Sequence, residues 1–286
     1  MESTSLRGAT LEWLPVELRT MVLEFLKPDK RSLLSCSLLS KEWRAMSLPL
    51  IFASINAKSN TNFNGLFSFL VDNPHLAKFV KSMSFQRKLE RTRHFVARAG
   101  VNSMMITNDR TPSFDCTSLV NALSSLTTLQ QLVFENVRPH RCSSLRAPAR
   151  PFTLQRLGLY DHKSTLNLLL LLLSVVTVET VQFGRLALRD GVSPFAWIER
   201  RFTLAIPNLV LAYTAAGLLG PLRTIVHRDS LRSLVVAIES PEHCDLLCSF
   251  LREVGGSIAS LDIDLTHLVH ASTRFQGCEI PIIYIL

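Results

Sequence analysis

Seven times along this chain an apolar residue is followed by two variable positions, a second apolar residue, one variable position and a third apolar residue. The frames are Val80/Met83/Phe85, Leu129/Leu132/Phe134, Leu154/Leu157/Leu159, Val178/Val181/Phe183, Ile206/Leu209/Leu211, Leu231/Leu234/Val236 and Ile258/Leu261/Ile263. From Leu132 onward the middle residues are spaced 24–28 apart. The last two apolar positions alternate, which predicts a short strand with one buried face. Between frames, Thr117–Leu126, Ser164–Val175, Ser193–Arg201 and Glu242–Val254 have helical patterning. The last of these has Pro241 at its start and Gly255-Gly256 at its end, a proline-in, glycine-out pair suited to a helix. A unit of this size cannot bury its apolar face alone, so it must stack on further units. The 49-residue step from Met83 to Leu132 reads as two periods, with a degenerate unit near Met104-Met105-Ile106. Ile282–Leu286 reads as a final strand.

Strand–helix units of this length resemble leucine-rich repeats. The resemblance implies a solenoid with parallel strands on the concave side and helices on the convex side. The family's asparagine after the strand is replaced by Val137, His162, Leu186, Thr214, Glu239 and Thr266, so the repeats are irregular. Strand–helix alternation also allows an α/β domain built on one parallel sheet. Polar residues beside the strand apolars are Gln131, Gln155, Arg156, Glu179, Asn208, Arg232 and Ser260. Gln131, Arg156 and Arg232 are the candidate substrate contacts among them.

Ahead of the repeats, residues 11–55 pattern as three short helices. Pro15 and Glu17 suit a first helical turn, and Leu14, Leu18, Met21/Val22 and Phe25 fall on one face. Pro28 stops that helix. Asp29 starts a second over Leu33, Leu34, Cys36 and Leu38, and Ser40 caps a third carrying Trp43 and Met46, which Pro49 is expected to end. A module of roughly 40 residues buries too little apolar surface to stand alone. Its greasy face must dock on something.

This stretch resembles an F-box. The match rests on Leu14-Pro15-x-Glu17-Leu18, Val22-Leu23, Phe25-Leu26, Leu33-Leu34-Ser35-Cys36-Ser37-Leu38, Lys41-x-Trp43-Arg44 and Leu50-Ile51-Phe52, with Leu39-Ser40 where many members have valine-cysteine. The resemblance implies binding to the Skp-family adaptor of an SCF-type cullin ubiquitin ligase. The contact would run through Leu14, Pro15, Leu18, Val22, Phe25, Leu38, Trp43, Leu50 and Phe52. Together the two resemblances describe an F-box protein with divergent leucine-rich repeats, a combination numerous in fungi. The expected fold class is α+β: a disordered 1–10, a three-helix F-box over 11–55, and an irregular α/β repeat solenoid with parallel strands over 56–286. Ala53–Asn64 reads as a linker and Phe63–Val71 as a helix stopped by Asn73-Pro74.

The remaining features bound the function. A hydrophobic fraction of 47% argues against global disorder. The apolar run Leu166–Val178 is too short for a membrane span, and Met1–Ser5 carries no signal-peptide pattern. Six cysteines without a CxxC pair or dense framework are expected as reduced thiols, which places the protein in the cytoplasm or nucleus. Cys244/Cys248 and His267/His270 lack the further ligands a zinc site needs. Asp262 and Asp264 read as the polar edge of an alternating strand. No nucleophile elbow, phosphate loop or HExxH motif is present, so no catalytic residue, metal or cofactor is expected. The formal charge of +8 concentrates in Lys78–Arg98 and in the arginines at 138, 141, 146, 150 and 156. A basic nucleic-acid-associated protein is one alternative, but no stacking aromatics accompany the charge. A repeat scaffold without a ligase role is the other. The expected partners are the adaptor, through it a cullin, and an unidentified target protein.

Overall fold

A computed structural model describes residues 14–88, 111–140, 152–160, 176–184 and 204–265. Three short helices open it: α1 (Val16–Phe25), α2 (Lys30–Cys36) and α3 (Lys41–Phe52). Pro15 precedes α1 in extended geometry (φ −52°, ψ 149°). Asp29 caps α2, accepting from the Arg31 and Ser32 amides, and Ser40 caps α3, accepting from the Trp43 amide. Leu23, Leu33 and Trp43, one from each helix, form a separate small core. Pro49 does not end α3. It lies in the last turn and the helix runs on to Phe52.

The strands are β1 (Ser54–Ser59), β2 (Ser82–Arg87), β3 (Ser113–Asp115), β4 (Gln131–Glu135), β5 (Arg138–His140), β6 (Phe152–Tyr160), β7 (Val176–Gly184), β8 (Asn208–Ala212), β9 (Ser233–Ala237) and β10 (Ser260–Asp264). Eight of them form one sheet in the order β1-β2-β4-β6-β7-β8-β9-β10, every described pair parallel, while β3 and β5 form a parallel pair of their own. Strand order thus follows chain order, with no reversal that would create the crevice of a doubly wound sheet.

Every repeat frame is in register. Met83, Leu132, Leu157, Val181, Leu209, Leu234 and Leu261 make one inward row, and Phe85, Phe134, Leu159, Phe183, Leu211, Val236 and Ile263 the next. From β2 to β9 these side chains are buried. Helices α4 (Asn64–Asp72), α5 (Pro74–Ala77), α6 (Cys116–Ser125), α7 (Leu219–Ile225) and α8 (Pro241–Val254) contribute Phe67, Leu70, Leu119, Leu222 and Phe250 to the same core. One sheet face is therefore covered by helices. On the other face the strand residues are mostly part or fully exposed.

The two-residue gap that opens each frame has a backbone cause. At five joints one carbonyl accepts two successive amides of the next unit. Ala53 accepts from Lys81 and Ser82, Lys81 from Gln130 and Gln131, Gln130 from Gln155 and Arg156, Pro207 from Arg232 and Ser233, and Arg232 from Ala259 and Ser260, all at 2.7–3.1 Å. The chain kinks there as at a bulge. Both variable residues then face solvent, and alternation begins only at the second.

Three further expectations are corrected. Ala53–Asn64 is not simply a linker, because it contains the edge strand β1, whose Ile55 and Ala57 pair with Met83 and Phe85. Its frame begins at Phe52, and polar residues between the apolar ones hid it. The boundary expected at residue 55 consequently falls inside a strand. The 49-residue step is not two periods of the sheet, since β2 pairs directly with β4. Cys116, expected as a reduced thiol, is fully buried and disulfide-bonded, whereas Cys36, Cys244 and Cys248 are free. Residues 1–10, the sites near 104–106 and 282–286, the helices at 164–175 and 193–201, His267/His270 and the arginines at 141, 146 and 150 lie outside the described residues.

Candidate functional site

Two surfaces collect the candidate residues. The first is the outside of α1 and α2. Leu23 alone is buried on α1, and Leu33 alone on α2. The remaining apolar residues of both helices had no room in so small a core. Val16, Leu18, Met21, Val22, Phe25, Leu34, Leu38 and Leu39 account for eight of the eleven exposed large hydrophobic residues described. Phe25 and Leu38 are 85% and 86% exposed. Single exposed apolar residues are ordinary, but this concentration on a module of two helices and a turn is not.

The expected adaptor contacts divide accordingly. Leu18, Val22, Phe25 and Leu38 stand on the surface with Pro15, and Leu14 is half-buried. Leu14 is held by its carbonyl, which accepts from Arg19 Nε at 2.8 Å. Trp43 is corrected from contact to core. It is 1% exposed between Leu23 and Leu33, because three helices this short need one large side chain at their centre. Its Nε1 has no acceptor among the described residues. Leu50 packs against that same core, and Phe52 against the core of the sheet. These two hold the module rather than present it. Lys30 on α2 ties the module to β1 by donating from Nζ to the Ser54 carbonyl, and burial pulls its pKa below the ordinary lysine range. Val16, Met21, Leu34 and Leu39 are likewise exposed and were not among the contacts expected from sequence; a wheel drawn for the side opposite Leu23 and Leu33 was the available signal.

The second surface is the open face of the sheet. Its first row, strand by strand, is Ser54, Ser82, Gln131, Arg156, Thr180, Asn208, Ser233 and Ser260. Arg156 is the one charge in that row, and its guanidinium donates to Gln182 Oε1. Gln131 is its register partner. Arg232 does not join them. It precedes β9, one residue out of register and three strands away from Arg156, or about 14 Å. Asn208 Nδ2 is engaged with the Glu179 carbonyl at 3.1 Å and Thr180 Oγ1 at 3.4 Å. Asp262 and Asp264 are exposed on the same face at its far edge.

Tyr160, absent from the sequence reading, lies flat on this face. A Cβ on Gly158 would meet its ring at 2.8 Å and one on Gly184 at 2.7 Å, so the ring covers both glycines on adjacent strands. Gly158 sits in register with Gln182, and Gly184 with Tyr160. Those two glycines at outward strand positions were the available signal.

Among the described residues no three His, Cys, Asp or Glu side chains come close enough to hold a metal ion. No described helix is long and apolar enough to cross a membrane. Comparison with known proteins finds no matching family model, no similar curated protein and no similar solved structure.

Proposed function

We propose that this chain is a substrate-receptor subunit of an SCF-type cullin ubiquitin ligase. In this reading α1–α3 are an F-box that docks on a Skp-family adaptor, and the strand–helix units are an irregular leucine-rich-repeat solenoid that holds a target protein. The observation that carries it is the cluster of eight exposed apolar side chains between Val16 and Leu39 on a module with its own minimal core. Burying three or four of them at a contact contributes about 1.5–3 kcal/mol each. The role is proximity: a bound target meets the ubiquitin-transfer machinery at high effective concentration, and the catalytic groups belong to other subunits. Sequential strand order and one uncovered sheet face support the solenoid part.

The test is recovery of recombinant adaptor by the wild-type chain and by the double variant Phe25→Asp, Leu38→Asp. Both residues are almost fully exposed, so the variant keeps its fold and its circular dichroism spectrum. Loss of adaptor from the variant alone is the expected result. Equal recovery from both, or no recovery by the wild type, removes the ligase reading and leaves a repeat scaffold.

A further inference from the structure

We propose that the Arg156–Tyr160 patch on the open sheet face is a recognition subsite for an acidic, extended segment of the target protein. The site would take one Asp or Glu carboxylate on Arg156 and an apolar side chain on the Tyr160 ring. This rests on the receptor reading above and names the chemistry of what is received.

Charge selects the carboxylate. In the first outward row, Arg156 is flanked by Gln131 and Thr180 and followed along the sheet by neutral Ser and Asn residues. Among the described residues it meets no carboxylate, only the Gln182 amide oxygen. That bond uses one of five guanidinium donors and holds the fork in place. A cation held in place, with no carboxylate within ion-pair distance among the described residues, complements a single anion. Glu135 does not compensate it, because it stands four residues along the neighbouring strand, opposite Tyr160.

Shape selects the neighbour. Tyr160 covers Gly158, which is two residues from Arg156 along β6, so the strand position under the ring and the one that roots the cation lie about 7 Å apart. That is the spacing of residues i and i+2 in an extended peptide. Val133, in register with Gly158, continues the apolar floor on the next strand. Covering one bare glycine with an aromatic ring is a structural device of sheets. Covering two on adjacent strands makes a flat platform beside the cation.

The experiment uses the full chain against an array of unphosphorylated peptides in which Asp or Glu precedes Pro, Leu or Phe by one to three positions. Matched Asn and Gln peptides and phosphoserine versions are printed alongside. Expected is selection of Asp/Glu over Asn/Gln, with the best binders weakened about tenfold or more by Arg156→Gln. Tyr160→Ser should weaken them as well. Arg156→Gln changes an exposed side chain, so its melting temperature should stay at the wild-type value, which keeps the result readable if Tyr160→Ser unfolds. No selection, selection blind to the acid, binding only to phosphoserine peptides, or binding unchanged in folded Arg156→Gln each overturns the proposal. Adaptor recovery, read on the same variants, is expected to be unaffected, so failure here is separable from failure of the ligase reading.

Discussion

The side-chain amide of Asn208 donates to the backbone carbonyl of Glu179 at 3.1 Å. At five other joints in the sheet the corresponding carbonyl takes two successive backbone amides. Here the first of those positions is Pro207, which has no N–H. The Asn208 side chain supplies the donor that proline withholds. Asn208→Ala should therefore destabilise the fold by about 0.5–1.5 kcal/mol. Pro207→Ala in that background should recover part of the loss by restoring a backbone donor. Urea denaturation of the four members of this cycle checks both signs.

Phe85 and Phe134 occupy the same frame position on paired strands and stack with centroids 5.2 Å apart at 15°. Phe134 also stacks on Phe114 at 5.1 Å. All three are fully buried. Phe134→Ala opens a cavity bounded by two rings and is expected to cost about 3–5 kcal/mol. Phe134→Leu should cost visibly less. Midpoints of chemical denaturation give the ranking, and equal costs would contradict the stacked geometry.

Acid should loosen the second helix of the amino-terminal module. Hydrogen bonds from the Ser32 hydroxyl, then from the Ser32 and Arg31 amides, hold the Asp29 carboxylate below the ordinary carboxylate range. A depressed folded pKa means that its stabilising effect is fully present above about pH 4 and is lost as pH falls through the lower folded value. Asp29→Asn retains the cap acceptor but removes this titration. Melting curves of both proteins between neutral pH and about pH 3 should diverge only at the acid end.

The three cysteines that are free among the described residues differ in reach. Burial raises the Cys244 thiol above the ordinary value, with the neighbouring Cys248 and Asp245 adding to it, whereas Cys248 is exposed one turn along α8. Thiolate is the reactive form. Alkylation of the native protein should therefore label Cys248 before Cys244, and leave the buried, disulfide-bonded Cys116 unlabelled. Peptide mapping after timed quenching reads the order, and early labelling of Cys116 would show that its bond is absent in solution.

Periodicity alone determined much of this chain. The spacing of apolar residues located seven strands and their inward side chains, because a two-residue alternation leaves one way to bury a row. Asp29 and Ser40 marked helix starts since capping is a local bond between a side chain and the next turn. Residues whose role depends on distant neighbours were not legible. Trp43 looked like a docking residue until the other two helices closed around it. Phe52 looked like a docking residue and the strand after it like a linker, until β2 paired with that strand and Phe52 packed against the core of the sheet. Tyr160 became a surface feature only when the register set Gly184 beside it. Side-chain period is encoded within a few residues, whereas which apolar face stays uncovered depends on what the rest of the fold has volume left to bury. Only the packed tertiary structure, with its finite cores, decided that.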